Sequence, residues 1–248
     1  MKFGQKQLTT MDLGLIGYER AYALQKQYVD KVLEGSGPFL FLCEHPAVLT
    51  KGRMTKTENI LLGQQFLDDR GIAVRDIDRG GDVTLHAPGQ LVIYPIINLV
   101  DYGKDLRIYL RALEDISMAV LKRYGLNPRR ESGQTGVWVD DKKVVSIGIG
   151  VKRWVSFHGV GINVNTDLSL FSCIKPCGLN VEMNSMSNIL GHKLSMQEIK
   201  EKVIDQFLNI FNLVKGRSES YDSGESSKAL PQRDHPESEP SSFSTKRK

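Results

Sequence analysis

The run from Leu91 to Leu99, Leu-Val-Ile-Tyr-Pro-Ile-Ile-Asn-Leu, is mostly apolar and β-branched, and it reads as a buried strand around which the rest of the chain must build a core. What precedes it is unlike a linker. Residues 79 to 90, Arg-Gly-Gly-Asp-Val-Thr-Leu-His-Ala-Pro-Gly-Gln, bring one cation, one imidazole and three glycines together between two apolar runs. Gly80 and Gly81 allow a backbone path with positive φ and close approach of a ligand to the main chain, because no Cβ stands in the way. Arg79 adds a fixed charge beside that opening, and Pro88-Gly89 is a turn signal. On residue types alone, a β-hairpin with glycines in its bends and a surface arginine fits equally well. Ile72 to Asp78 alternates with the two-residue period of a half-buried strand, so the motif sits at a strand end, where loops on rigid scaffolds carry sites.

The chain of 248 residues is 40% hydrophobic and 25% charged, which suits a globular domain with ample chain to bury a core. A net charge of +4 and a pI near 8.8 make the surface mildly basic. That is too weak to argue for nucleic acid and suits acidic protein partners. From Gly216 onward six basic and six acidic residues cancel, so the excess belongs to the body. Cys43, Cys173 and Cys177 are odd in number and irregular in spacing, fitting neither a disulfide framework nor a paired zinc motif. With no long apolar span and no apolar or arginine-rich leader, the expectation is a cytoplasmic or already processed protein.

Leu8 to Ile16 reads as a first strand and its turn, residues 18 to 34 as an amphipathic helix, and Pro38 to Cys43 as a buried strand. Residues 44 to 58 read as a basic loop, and Gln64 to Arg70 as a short helix. Asp105 is placed to cap a helix from Leu106 to Tyr124, with Ile108, Leu110, Ala112, Leu113, Ile116, Ala119 and Leu121 on a wide apolar face. Strands follow at 137 to 139, 144 to 151 and 154 to 164. Ser195-Met-Gln-Glu198 is a capping box, with Leu194 and Ile199 as a staple, opening a helix to about Val214. The division expected is a domain over 1 to 215 and a disordered, serine- and proline-rich tail over 216 to 248.

Several residues are candidates for chemistry, and each has a plainer reading. Cys177, between Pro176 and Gly178, suits a reactive thiol on a tight turn, though a free cysteine is more often a small buried hydrophobe. Lys143 opens a strand whose Gly148 and Gly150 permit close approach to a ligand, though strand-end lysines are usually solvated. His158-Gly159 interrupts an apolar strand, as a hydrogen-bonded core histidine beside a bulge also would. Cys173 and Cys177 with His158 or His192 match no standard zinc spacing.

Taken together, these residues resemble the octanoyl-acyl carrier protein:protein N-octanoyltransferases, also called lipoate-protein ligase B, over residues 8 to 214. Arg79-Gly80-Gly81, Thr84, His86 and Pro88-Gly89-Gln90 match the family's central motif. Glu44-His45-Pro46, Gly52-Arg53, Thr135-Gly136-Val137-Trp138, Lys143, Ser146-Ile147-Gly148, His158-Gly159, Asn163-Val164, Asp167-Leu168, Phe171 and Pro176-Cys177-Gly178 follow in the family's order. Leu85 stands where an aromatic is usual and Ala87 where glycine is frequent, departures that bear on the shape of the acyl pocket.

The resemblance implies an α+β fold, a mixed sheet flanked by helices as in biotin and lipoate protein ligases. It implies Cys177 as nucleophile and Lys143 as its partner. It places substrate against Arg79, Gly80, Gly81, Asp82, Val83, Thr84, Leu85 and His86, against Ser146, Ile147 and Gly148, and against His158, Gly159, Val160 and Gly161. The implied partners are octanoyl-acyl carrier protein as donor, and lipoyl domains of 2-oxoacid dehydrogenase complexes and the glycine cleavage H protein as acceptors. Neither ATP nor a metal is expected, and a monomer is. The rivals are an ATP-dependent ligase of the same fold and a non-catalytic binding module.

Overall fold

The computed structural model describes residues 5–61, 63–173 and 181–221. Its main sheet is mixed and has the order β11-β1-β2-β6-β10-β9-β8-β7. These strands are β1 (Gln7–Leu15), β2 (Phe39–Glu44), β6 (Gln90–Ile96), β7 (Pro128–Arg129), β8 (Val137–Val139), β9 (Lys142–Lys152), β10 (Val155–Asn163) and β11 (Val214–Ser220). β1 runs parallel to β2 and β11, and the remaining neighbours are antiparallel. A small sheet, β4 (Ala73–Asp76), β3 (Val48–Lys51) and β5 (Thr84–His86), lies beside it.

All seven residues of β6 are buried, and they alternate between two cores. Leu91 and Ile93 face α3 (Leu106–Lys122) and α5 (Met196–Ile210), among Leu113, Ile116, Val203 and Phe207. Val92, Tyr94 and Ile96 face α1 (Tyr18–Leu33), among Ala21, Leu24, Val29 and Phe41. Truncating Phe207, 1% exposed, to alanine costs about 3–5 kcal/mol by the usual cavity penalty. A third core of Leu49, Leu67, Ile72, Val83, Leu85 and Phe171 lies under the small sheet, with Leu67 supplied by α2 (Gln64–Asp69).

The caps follow the sequence. Asp105 accepts from Arg107 N and Ile108 N, and Ser195 accepts from Glu198 N, each satisfying an orphan donor for about 1 kcal/mol. Four expectations differ. The basic loop contains β3, because Val48 and Leu49 find strand partners in β4 and β5 that no local pattern announces. Ile108 is 61% exposed, since the buried stripe of α3 runs through Tyr109, Leu113, Ile116 and Val120 instead. Trp154 is in the β9–β10 turn at φ +67 rather than in a strand. The last helix ends at Ile210, and Val214–Ser220 then pairs along β1, beyond the boundary expected at 216. Backbone pairing at a sheet edge needs no apolar side chain, so composition does not reveal it.

Candidate active site

The candidate site lies between the two sheets, and the stretch after β4 closes it. Gly80 N donates to Ile149 O at 2.9 Å, which pins the stretch to β9. Arg53 N and Met54 N donate to the carbonyls of Arg79 and Gly81, which pins it on the other side. Arg79 is 7% exposed and turns its guanidinium inward, with Nη2 donating to Thr50 O at 2.9 Å and to Thr50 Oγ1 at 3.1 Å. It is therefore a wall of the site, braced against β3. Gly148 eases the close approach of this wall to β9, because a Cβ there would lie 3.0 Å from Arg79 Cδ and 3.1 Å from Gly80 O and would push them back by a few tenths of an ångström.

Two cavities result. The inner one, about 60 Å³, is lined by Arg79, Gly81, Asp82, Val83, Thr84, His86, Lys143, Ser146, Ile147, Gly148, His158, Gly159, Val160 and Gly161. The outer one, about 520 Å³, is lined by Gly80 and by residues of the 54–59 and 133–135 loops. Gly81, Asp82, Lys143, Ile147 and Gly148 line both. Leu85 lines neither; the alternation of β5 sends it into the core under the small sheet. Tyr18, Ile77, Val92 and Tyr94 also line the inner cavity, and Met54, Asn59, Leu110, Gln134 and Thr135 the outer. Of these nine only Thr135 falls in a motif singled out from the sequence; an apolar or aromatic residue at core spacing looks alike whether it faces a core or a cavity, and Asn59 and Gln134 look like any polar loop residue.

The histidines of the inner wall are held neutral. Gln90 Nε2 donates to Asn163 Oδ1, which leaves Gln90 Oε1 as acceptor for His86 Nδ1–H at 2.6 Å. Burial, with the nearby His45 and Arg79, pushes the His86 pKa down to about 3. His158 Nε2–H donates to Asp78 Oδ1 at 2.9 Å, and burial lowers its pKa despite that carboxylate. Asp78 is pushed up by burial, but bonds from His158, Lys26 and Tyr22 outweigh this and hold its carboxyl well below the usual range. Regular alternation would put His158 on the side of Val160 and Ile162. Its backbone instead adopts φ +54, and the ring stacks on Tyr22 of α1 at 5.4 Å between centroids. Such a conformation costs a side chain about 1–2 kcal/mol and marks a position fixed by its surroundings.

Lys143 is 2% exposed, and Nζ donates to Thr135 O at 3.0 Å while lying 4.8 Å from the centre of the Trp138 ring, a face that attracts a cation. Its backbone N–H donates to Glu182 O and its carbonyl accepts from Asn184 N, both at 2.8 Å. Cys177 lies outside the described residues. Cys43 is fully buried at the end of β2, and burial pushes its thiol pKa up, which makes it a packing residue. Among the described residues no group of His, Cys, Asp and Glu could hold a metal ion, and no helix is long and apolar enough to cross a membrane.

This fold is shared with lipoate ligases. The structure superposes on lipoate-protein ligase A bound with ATP with a TM-score of 0.72 at 16% identity, covering 90% of this chain and 92% of that one. The chain belongs to the lipoyl protein ligase A/B catalytic domain family, whose model matches residues 17–208. Within that family it is similar to the octanoyltransferase of Syntrophotalea carbinolica, 46% identical over 80% of this chain and 92% of the relative. It is likewise similar to the octanoyltransferase of Nitratidesulfovibrio vulgaris, 41% identical over 82% and 94%.

Proposed function

We propose that the chain transfers an octanoyl group from octanoyl-acyl carrier protein to a lysine of lipoyl domains, through a thioester on Cys177. The relatives named as octanoyltransferases support the reaction. The observation that carries the reading is the meeting of the two cavities at buried Lys143, whose backbone also takes up residues 182 and 184. Cys177 is five positions before Glu182, and a span of at most about 18 Å over five residues is compatible with the thiol meeting the amine.

In this cycle the Cys177 thiol gives its proton to Lys143 Nζ, and the thiolate attacks the carrier thioester. The tetrahedral intermediate breaks its bond to the carrier sulfur, which takes that proton and leaves. The acceptor lysine amine then attacks the octanoyl-cysteine, passes a proton to Lys143, and the returning Cys177 sulfur recovers it. The amide formed is more stable than either thioester, so the second step draws the reaction without ATP or metal. The inner cavity takes the acyl chain and the outer one the two carrier arms in turn, with the catalytic unit a monomer. Acceptors are the lipoyl domains of 2-oxoacid dehydrogenase complexes and the glycine cleavage H protein.

Likeness to an ATP-bound ligase at 16% identity establishes fold alone. Intact-mass spectrometry decides between the two chemistries. Mixing the protein with octanoyl carrier protein adds one octanoyl group, without ATP, and an apo lipoyl domain removes it. A Cys177→Ser variant that transfers at the full rate would sink the covalent route.

A further inference from the structure

One buried carboxylate takes no part in the chemistry above. Glu114, on α3, is 1% exposed, and both its oxygens are engaged. Oε2 accepts from Arg111 Nη1 at 2.6 Å and from Arg130 Nε at 2.7 Å, and Oε1 accepts from Gly136 N at 3.1 Å. The peptide unit joining Thr135 to Gly136 owns that N–H, and it also owns the carbonyl that accepts from Lys143 Nζ at 3.0 Å. A single peptide group thus bridges Glu114 and Lys143.

The residue at 136 has to be glycine. It adopts φ +137, and a Cβ there would lie 2.6 Å from Lys143 Cε and 2.5 Å from Val145 O. Glycine offers the least steric resistance to rotation of the adjoining peptide plane. Space for the lysine stem therefore removes the usual lock on the carbonyl that holds the lysine head.

We infer that Glu114 is a positioning residue for Lys143: by holding the Gly136 N–H it fixes the plane of the 135–136 peptide and aims the Thr135 carbonyl at Nζ. This rests on the reading of Lys143 as the proton carrier. Arg111 and Arg130 complete the device, since they balance the buried charge and occupy one oxygen, leaving the other for Gly136. Arg130 Nη2 also donates to Arg111 O at 3.2 Å and to Asp115 Oδ1 at 2.6 Å, tying the segment before Gly136 to α3. Glu114 itself reaches no reacting atom.

Glu114→Gln tests this with little change in shape. Its one acceptor oxygen is claimed by two arginines, so its NH2 turns toward Gly136 N–H and the peptide is released. The expected result is a fall in kcat of about tenfold or more, with KM for octanoyl carrier protein within about twofold and cooperative melting retained. Adding Arg111→Met and Arg130→Met frees the amide oxygen for Gly136 and restores several-fold of the lost kcat, whereas a merely structural ion cluster would be damaged further. Parental kcat in Glu114→Gln, or a triple variant no faster than the single one, overturns the inference. Lys143→Ala run in parallel separates the two levels. If it keeps full activity, the reading of Lys143 fails; if it is inactive while Glu114→Gln is not impaired, only the role of Glu114 does. Should Glu114→Gln not fold, hydrogen exchange in the unchanged protein decides. Protection of the Gly136 amide like that of β9 is expected, and exchange as fast as at exposed Gly133 rejects the pin.

Discussion

His86 lines the inner cavity with Nδ1 committed to Gln90, and Nε2 is therefore an acceptor. Keeping that ring neutral has a thermodynamic signature. An unfolded histidine titrates near 6.5, while folded His86 is depressed to about 3. Below about pH 6.5 the unfolded chain binds a proton that the folded state refuses, so this contribution is complete above that pH and is lost as pH falls toward the folded value. His158 and His45, both lowered by burial, act in the same direction. The midpoint of thermal unfolding should drop between about pH 7 and pH 5, and less steeply in His86→Gln. Equal slopes for the two proteins would show that His86 does not carry it. At this scale the sequence displays the motif residues but conceals their partners. Asp78 with His158, and Glu114 with Gly136, are joined across the fold by 80 and 22 positions, beyond any local pattern.

Among the elements, those with their own signals were legible: α1, α3 and α5 from apolar spacing and caps, and β2, β6, β9 and β10 from apolar runs and turns. β3 and β11 were not, because their reason for being strands lies in neighbours far along the chain. β11 has mostly exposed residues, yet Thr10 Oγ1 donates to Ser218 Oγ at 2.9 Å, and Tyr221 N donates to Asp12 O. Arg20 Nε also donates to the Tyr221 hydroxyl, linking the end of this strand to α1. Two truncations separate strand from tail. A chain ending at Tyr221 should melt within about 2 °C of the full chain, whereas one ending at Leu213 should lose several degrees, corresponding to about 1–3 kcal/mol. Equal melting of both shortened chains would mean that β11 contributes nothing.

Taken whole, the molecule sets its inner cavity between a large sheet and a small one, next to an outer cavity bordered by loop 54–59 and by Leu110 of α3. On the proposed function, a body carrying the net charge of +4 would attract an acidic carrier domain over a distance that salt shortens. Raising ionic strength from about 0.05 to 0.5 M should therefore lower kcat/KM for octanoyl carrier protein several-fold, yet leave a small uncharged octanoyl thioester nearly unaffected. Parallel losses for both donors would place the salt effect in the chemistry instead of the encounter.

β6 gives this arrangement a further property. Its residues 91 and 93 belong to the core under α3 and α5, while 92 and 94 belong to the side of α1, where both line the inner cavity. Odd positions thus serve one core alone, whereas Val92 and Tyr94 serve a second core and border the inner cavity at once. A change of size at 92 or 94 therefore alters the cavity and the packing against α1 together, so the shape of the cavity and the stability of this side of the sheet are not separately adjustable along β6.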